Sequence, residues 1–297
     1  MTTYDFIDSN KRKSAILIAV FGVLVVLVGL AADRALEAGG SILALAAGYS
    51  VVTALVGFYS GDRVALAVSG AQEVTEKDNP YLVRMVQNLC ITTGLPMPKV
   101  HVIDDPAINA FATGRDPQHS SIAVTTGAIQ SLENEELEGV LAHELSHVRN
   151  FDIRVMTLAM VLAGTVAIVA DLTMRSFIWG GRRRRDEGNG LLVVVGLLLM
   201  IVAPIAAQLI KLAVSRKREY LADASAALIT RFPDGLARAL EKINAQSRPM
   251  KSASSATAHL FIANPFSGRT LAGLFSTHPP IESRIAALRQ MSGPALS

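Results

Sequence analysis

The chain has a single cysteine and few charged residues. Cys90 alone excludes an internal disulfide framework and a thiolate metal cluster. Charged residues make up 18% of the 297 positions, against about a quarter in an average soluble domain. The net charge of +3 is small and scattered, so we expect no nucleic-acid partner. What the chain has instead is a small number of long apolar runs.

Four stretches of the sequence are apolar and carry no charge. The first lies between Lys13 and Asp33 and the second between Glu37 and Asp62, and each can supply the roughly 20 residues that cross a bilayer core. The first is longer than a signal-peptide core of roughly 7–15 residues, so we expect a retained anchor. The other two stretches, 155–170 and 188–210, predict a second pair of membrane helices, although the first of these is marginal at 16 residues. We therefore expect about four transmembrane helices, paired as hairpins over 14–58 and 153–213.

Two polar blocks remain, at 59–152 and 214–297. Each hairpin returns the chain to the same side of the membrane, so the two blocks can form one domain. In the first block, Asn79-Pro80 opens a helical pattern. Short strand-like runs follow at 99–103, 108–113 and 121–125. The fold class predicted from these patterns is mainly α with a small β-sheet.

The sequence HELSH, from His143 to His147, lies in a helix predicted to begin near Asn134. Residues four apart share one face of a helix, so both imidazoles can reach a single zinc ion. Glu144 points towards the same place, where it can hold a water molecule and take its proton. The motif predicts a metalloprotease centre.

A catalytic zinc site with two histidines and a water has one ligand position still to fill. Spacing alone leaves it open among the remaining carboxylates and His101, His119, His259 and His278. Glu219 and Asp223 lie one helical turn apart after the fourth apolar run. Glu219 could bind the metal, and Asp223 could fix the tautomer of a ligand histidine. The same spacing also suits a solvated charged face beside Arg216, Lys217 and Arg218.

Taken together, these motifs resemble those of the HtpX-type heat-shock membrane proteases, which are relatives of the CaaX proteases that process prenylated proteins. The resemblance covers nearly the whole chain and includes NAFATG at 109–114 and THPPIESRI at 277–285. It implies a gluzincin fold with one Zn²⁺ per chain, held by His143, His147 and Glu219. It also implies Glu144 as general base and Asp223 as the carboxylate behind a ligand. Of the substrate cleft, it implies that the edge-strand residues Asn109, Ala110 and Phe111 face the site and that His278 and Arg284 line it.

The resemblance further implies a role in quality control, in which misfolded or unassembled membrane proteins are cleaved. The expected partners are polypeptide substrates and the lipid bilayer. Lys11, Arg12 and Lys13 precede the first apolar run and predict a cytoplasmic N-terminus in the cell inner membrane. The four arginines at 182–185 disfavour translocation of the loop that carries them, under the same positive-inside rule. Either it is translocated all the same, or the second hairpin does not cross fully.

Three rival functions differ in class. A zinc-binding sensor or scaffold that does not cleave is disfavoured by Glu144, because a structural site needs only ligands. An ion-coupled transporter is disfavoured because the first, second and fourth runs carry no central charge. A processing protease for prenylated proteins is disfavoured because those relatives have more spans and longer chains.

Overall fold

The protein is mainly helical with a small mixed sheet, in a computed structural model that describes residues 3–35, 37–180, 215–246, 248–251, 254, 256–266 and 279–291. Its helices are α1 Thr3–Ala35, α2 Ser41–Val68, α3 Pro80–Thr93, α4 Thr126–Ser131, α5 Asn134–Arg149, α6 Asp152–Gly180, α7 Arg216–Thr230, α8 Pro233–Ala245 and α9 Ile281–Met291. Its strands are β1 Ala71–Glu73, β2 Lys99–Ile103, β3 Ala110–Asp116 and β4 His119–Thr125.

Two of the described helices are long and apolar enough to cross a membrane, over Ile7–Arg34 and Ser41–Val68. They form an antiparallel hairpin whose turn is held by Asp33, because its carboxylate accepts hydrogen bonds from the backbone N–H groups of Gly40 and Ile42. Apolar side chains on this hairpin face outwards, and Leu45, for example, is 74% exposed. This outward apolar surface suits contact with lipid.

The second hairpin differs from the four-span prediction. Helix α6 qualifies as a candidate span only when it is taken together with α5, and the two helices are bent by 83° relative to each other. The first half of α6 is packed inside the protein, with Ile153, Leu158 and Leu162 buried. The fourth apolar run, 188–210, and the basic loop 182–185 lie outside the described residues. Among the described residues there are thus two candidate spans, or three if α5 and α6 together count as one, and four spans are not confirmed.

The sheet has the order β1-β2-β4-β3, with β2 and β4 parallel and the other pairs antiparallel. The prediction for β2 is confirmed to the residue, while β3 begins two residues later than predicted because the N–H of Asn109 bonds to the Thr125 hydroxyl. Strand β1, only three residues long, was missed. Strand β3 lies at the sheet edge and contacts both α5 and α6.

Helix α5 is fixed at both ends. At its start, Glu133 and Glu136 form a capping box, and Glu136 also accepts a hydrogen bond from Lys242 at 2.7 Å. The predicted start near Asn134 is confirmed, although the N-cap residue is Glu133 and Asn134 is the first helical residue. At its end, Phe151 adopts a positive φ of 59°, which breaks the helix and turns the chain into α6.

Candidate metal centre

His143, His147 and Glu219 meet at one point inside the protein. Their nearest ligand atoms all lie within 4.8 Å of one another, and all three side chains are buried. The Nε2 atoms of the two histidines are 3.1 Å apart, and the Glu219 carboxylate is 3.8 Å from His143 and 3.7 Å from His147. Two imidazoles and one carboxylate form a donor set that suits a catalytic zinc ion. The residues present therefore fit a bound metal.

The other described histidines lie away from this point. His119 is on the surface and pairs with Asp116. The buried His259 uses Nε2 to bond the Met156 carbonyl at 3.0 Å, and His101 is buried on β2. His278 lies outside the described residues. Among the described residues, the open ligand position therefore falls to Glu219.

Asp223 stands behind His143. Its Oδ1 lies 3.0 Å from His143 Nδ1, so the other ring nitrogen, Nε2, faces Glu219. Arg284 donates two hydrogen bonds to the same carboxylate and a third to the Ile262 carbonyl. Burial alone would raise the pKa of Asp223, but the charge and hydrogen bonds of Arg284 hold it below its ordinary value. Arg284 was expected to line the substrate cleft; it is 1% exposed and contacts Asp223.

Asp152 lies behind His147 in the same way, a role that the sequence motifs did not predict. Its Oδ2 lies 3.0 Å from His147 Nδ1, and its Oδ1 lies 3.0 Å from Arg218 Nη1. Arg218 is 6% exposed, so the alternative of a solvated charged face does not hold at this position. The available signal was an acidic residue five positions after His147, placed where the next helix begins.

Glu144 is almost completely buried between α5 and β3. Burial raises its pKa to about 7, and its carboxylate accepts a hydrogen bond from the backbone N–H of Ala112. Its Oε1 has no hydrogen-bond partner among the described residues. A carboxylate with a free oxygen and a pKa near neutrality has the properties of a general base.

The predicted substrate residues are covered by other parts of the chain. Asn109, Ala110 and Phe111 are buried at the start of β3. The Asn109 amide bonds the Ala263 carbonyl at 3.1 Å, and Ala110 accepts from Ile262 at 3.0 Å. Further along the same strand, Ala112 is the residue whose backbone reaches Glu144.

Comparisons with known proteins identify the family of this chain. The chain matches the model of peptidase family M48 over residues 76–292. It is 49% identical over 291 residues to "Protease HtpX homolog" of Tropheryma whipplei (strain Twist), covering 97% of this chain and 98% of that protein. A protein of the same name from Dictyoglomus thermophilum is 45% identical over 295 residues, covering 98% of this chain and 95% of the relative. The crystal structure of S. mikatae Ste24p shares the fold, with a TM-score of 0.52 and 18% identity over 96% of this chain and 67% of its own. The chain therefore belongs to peptidase family M48 and is a membrane metallopeptidase related to HtpX.

Proposed function

We propose that the chain is a zinc endopeptidase of the cell inner membrane that cleaves misfolded or unassembled membrane proteins. The observation that carries this proposal is the meeting of His143, His147 and Glu219 beside the buried Glu144. The proposed cofactor is one Zn²⁺ per chain. A scaffold that only binds zinc would gain nothing from a buried carboxylate with a free oxygen beside the ligands.

Each residue of the site has a separate role in the proposed peptide hydrolysis. When bound, the metal would polarise the scissile carbonyl and make water more acidic. Glu144 would take a proton from the attacking water and pass it to the leaving amine. His278, proposed as a donor to the developing oxyanion, lies outside the described residues. Main-chain groups of β3 near Ala112 would hold an extended substrate, a mode of binding that tolerates many side-chain sequences.

Contacts between the first hairpin and the protease domain support a position of the metal centre near the bilayer surface. Lys11 Nζ lies 5.2 Å from the ring centroid of Phe151, at the junction of α5 and α6. On the second helix of the hairpin, the ring centroid of Phe58 lies 5.4 Å from the Arg154 guanidinium. These contacts support a topology in which the N-terminal end of α1 and the protease domain share one side of the membrane. The positive-inside rule applied to Lys11 and its two basic neighbours favours the cytoplasm. We propose a multi-pass topology with four spans.

The test combines metal analysis with peptidase assays on the full chain in detergent. The unaltered protein should hold about one zinc ion, and Glu219→Ala should lose most of it. Glu144→Gln should keep the zinc and lose peptidase activity. Glu138→Gln is the matched control, because it makes the same change on α5 outside the site and should stay active. Normal cleavage by Glu144→Gln would refute the mechanism, and full zinc occupancy in Glu219→Ala would refute the ligand set.

The proposed substrate class needs a separate experiment in native membranes. The inactive Glu144→Gln protein should retain bound substrates that the active protein releases as fragments. We expect the retained proteins to be enriched in membrane proteins that lack their assembly partners. Retention of one processed precursor instead would favour a dedicated processing protease.

A further inference from the structure

The break between α5 and α6 contains a buried group of polar side chains that converges on His147. Asp152, the first residue of α6, places Oδ2 3.0 Å from His147 Nδ1. A hydrogen bond from Nδ1 to this carboxylate fixes the ring so that Nε2 faces Glu219, 3.7 Å away. The orientation of His147 therefore depends on where the Asp152 carboxylate is held.

The second oxygen of Asp152 is held from the first membrane-spanning helix. Asn10, on α1, donates from Nδ2 to Asp152 Oδ1 at 2.7 Å and to the Asn150 carbonyl at 2.8 Å. Arg218, on α7, lies 3.0 Å from the same Asp152 oxygen and donates to Asn10 Oδ1 at 2.8 Å. Three separate parts of the chain thus meet around one carboxylate.

The chemistry of an amide suits this place closely. Asn10 is 1% exposed, and a buried amide is costly unless its donors and acceptor are bonded. Here both Nδ2 hydrogens and the Oδ1 oxygen have partners. A carboxylate at position 10 would face Asp152 with a like charge, and an apolar side chain would remove one of the two donors to Asp152 Oδ1.

Asn10 is not required merely to dock the helix. Two turns further along α1, Leu17 and Phe21 are buried in an apolar cluster with Val155 and Ala159 of α6. That cluster already joins α1 to the domain by apolar contact. What Asn10 adds is a pair of directed hydrogen bonds to the groups around Asp152.

We propose that Asn10 is a positioning residue of the active site, through which the first membrane helix holds Asp152 and so orients His147. This inference rests on the proposed role of His147 as a zinc ligand. Asn10 acts through Asp152 and does not itself reach the metal. The cytoplasmic end of the membrane anchor is in this way part of the support of the metal centre.

The test is the zinc dissociation constant of the full chain in detergent, measured by competition with a chromophoric chelator. Asn10→Leu keeps a branched side chain of four heavy atoms and removes the amide, and we expect zinc to bind roughly 10–100-fold more weakly, as for other losses behind a metal ligand. Leu17→Ala is the matched control, because it weakens docking of the same helix without touching the polar group. It should lower thermal stability and leave the dissociation constant unchanged.

Two further measurements separate positioning from loss of structure. The absorption spectrum of the cobalt(II)-loaded protein reports ligand geometry, and it should change in Asn10→Leu and not in Leu17→Ala. Asn10→Leu should also add little to the effect of Asp152→Asn, since both act on the same contact. Asn10→Asp provides a second variant if Asn10→Leu does not fold.

The outcomes distinguish this inference from the proposed function. Unchanged zinc affinity in Asn10→Leu, or additive effects with Asp152→Asn, would overturn the positioning role alone. Equal weakening in Leu17→Ala would also overturn it, because docking would then explain the effect. If His147→Ala binds zinc as tightly as the unaltered chain, the proposed metal site itself fails.

Discussion

Arg284 and Asp223 form a doubly hydrogen-bonded ion pair behind the metal centre, with Nε to Oδ2 at 2.9 Å and Nη2 to Oδ1 at 2.7 Å. Both side chains are buried, and Asp223 is in turn 3.0 Å from His143 Nδ1. A lysine at position 284 keeps the charge but cannot form the paired bonds of a guanidinium. We therefore predict that Arg284→Lys binds zinc roughly 10–100-fold more weakly, measured by chelator competition.

Arg289→Lys is the control for this prediction. Arg289 lies on the same helix and pairs with Glu241, but its side chain is 57% exposed. Exposed ion pairs contribute about 0–1 kcal/mol, so this variant should match the unaltered protein in zinc affinity and stability. Wild-type zinc affinity in Arg284→Lys would mean that Asp223 orients His143 without help from the guanidinium.

The parts of the site that the sequence predicted are those that lie close together along one helix. His143 and His147 share a face of α5, and Glu219 and Asp223 share a face of α7. These relationships follow from helical spacing alone. Spacing alone did not identify the third ligand. The family resemblance predicted that the faces of α5 and α7 meet at one metal ion.

The parts that the sequence did not predict come from three separate elements. Asn10, Asp152 and Arg218 lie on α1, α6 and α7, and only tertiary packing brings them together. Arg218 stands in a run of basic residues, and nothing in that run shows which member turns inward. For the same reason, the apolar run 155–170 predicted a helix correctly but could not show that its first half packs against protein.

Gly139 allows α5 and α8 to approach each other closely. A Cβ atom at this position would lie 2.8 Å from the backbone nitrogen of Leu236, nearer than real Cβ contacts occur. Backbone atoms cannot move aside as a flexible side chain can, so the two helices would have to separate. We predict that Gly139→Ala lowers the free energy of unfolding by about 1–3 kcal/mol, as overpacking does. Thermal unfolding of the purified protein would measure this loss.

Gly164→Ala provides the comparison for Gly139→Ala. A Cβ at Gly164 would lie 3.6 Å from the Ala256 Cβ, which is an ordinary van der Waals contact. This variant should unfold at or above the wild-type temperature, because alanine favours a helix over glycine. Equal stability of the two variants would show that α5 and α8 can separate without loss.

His278 is the proposed oxyanion donor. Removing one such donor typically lowers turnover by about 10²–10³-fold. His278→Ala should therefore reduce kcat while zinc content and thermal stability remain at wild-type values. The measurement is a steady-state assay with metal analysis on the same preparation. Loss of zinc or of folding, without a separate kinetic defect, would instead indicate that this residue stiffens its loop.

Topology can be tested with single cysteines, because the only native thiol can be removed by Cys90→Ala. Lys77→Cys lies on the exposed surface of the protease domain, and Arg34→Cys lies at the far end of the first hairpin. With a membrane-impermeant maleimide, Arg34→Cys should label in intact cells. Lys77→Cys should label only after the cells are permeabilised.

Gly188→Cys then decides whether the second hairpin crosses the bilayer. Four full crossings would place the basic loop 182–185 outside, against the positive-inside rule. Labelling of Gly188→Cys in intact cells would therefore mean that the earlier helices set the orientation. We predict labelling of Gly188→Cys in intact cells, together with protection of Lys77→Cys. Protection of both sites would leave the first hairpin as the membrane anchor and make the second a hairpin that does not cross. Labelling of Lys77→Cys from outside would contradict the proposed cytoplasmic position of the protease domain. It would also contradict the proposed cytoplasmic N-terminus, because Asn10 and Lys11 contact that domain.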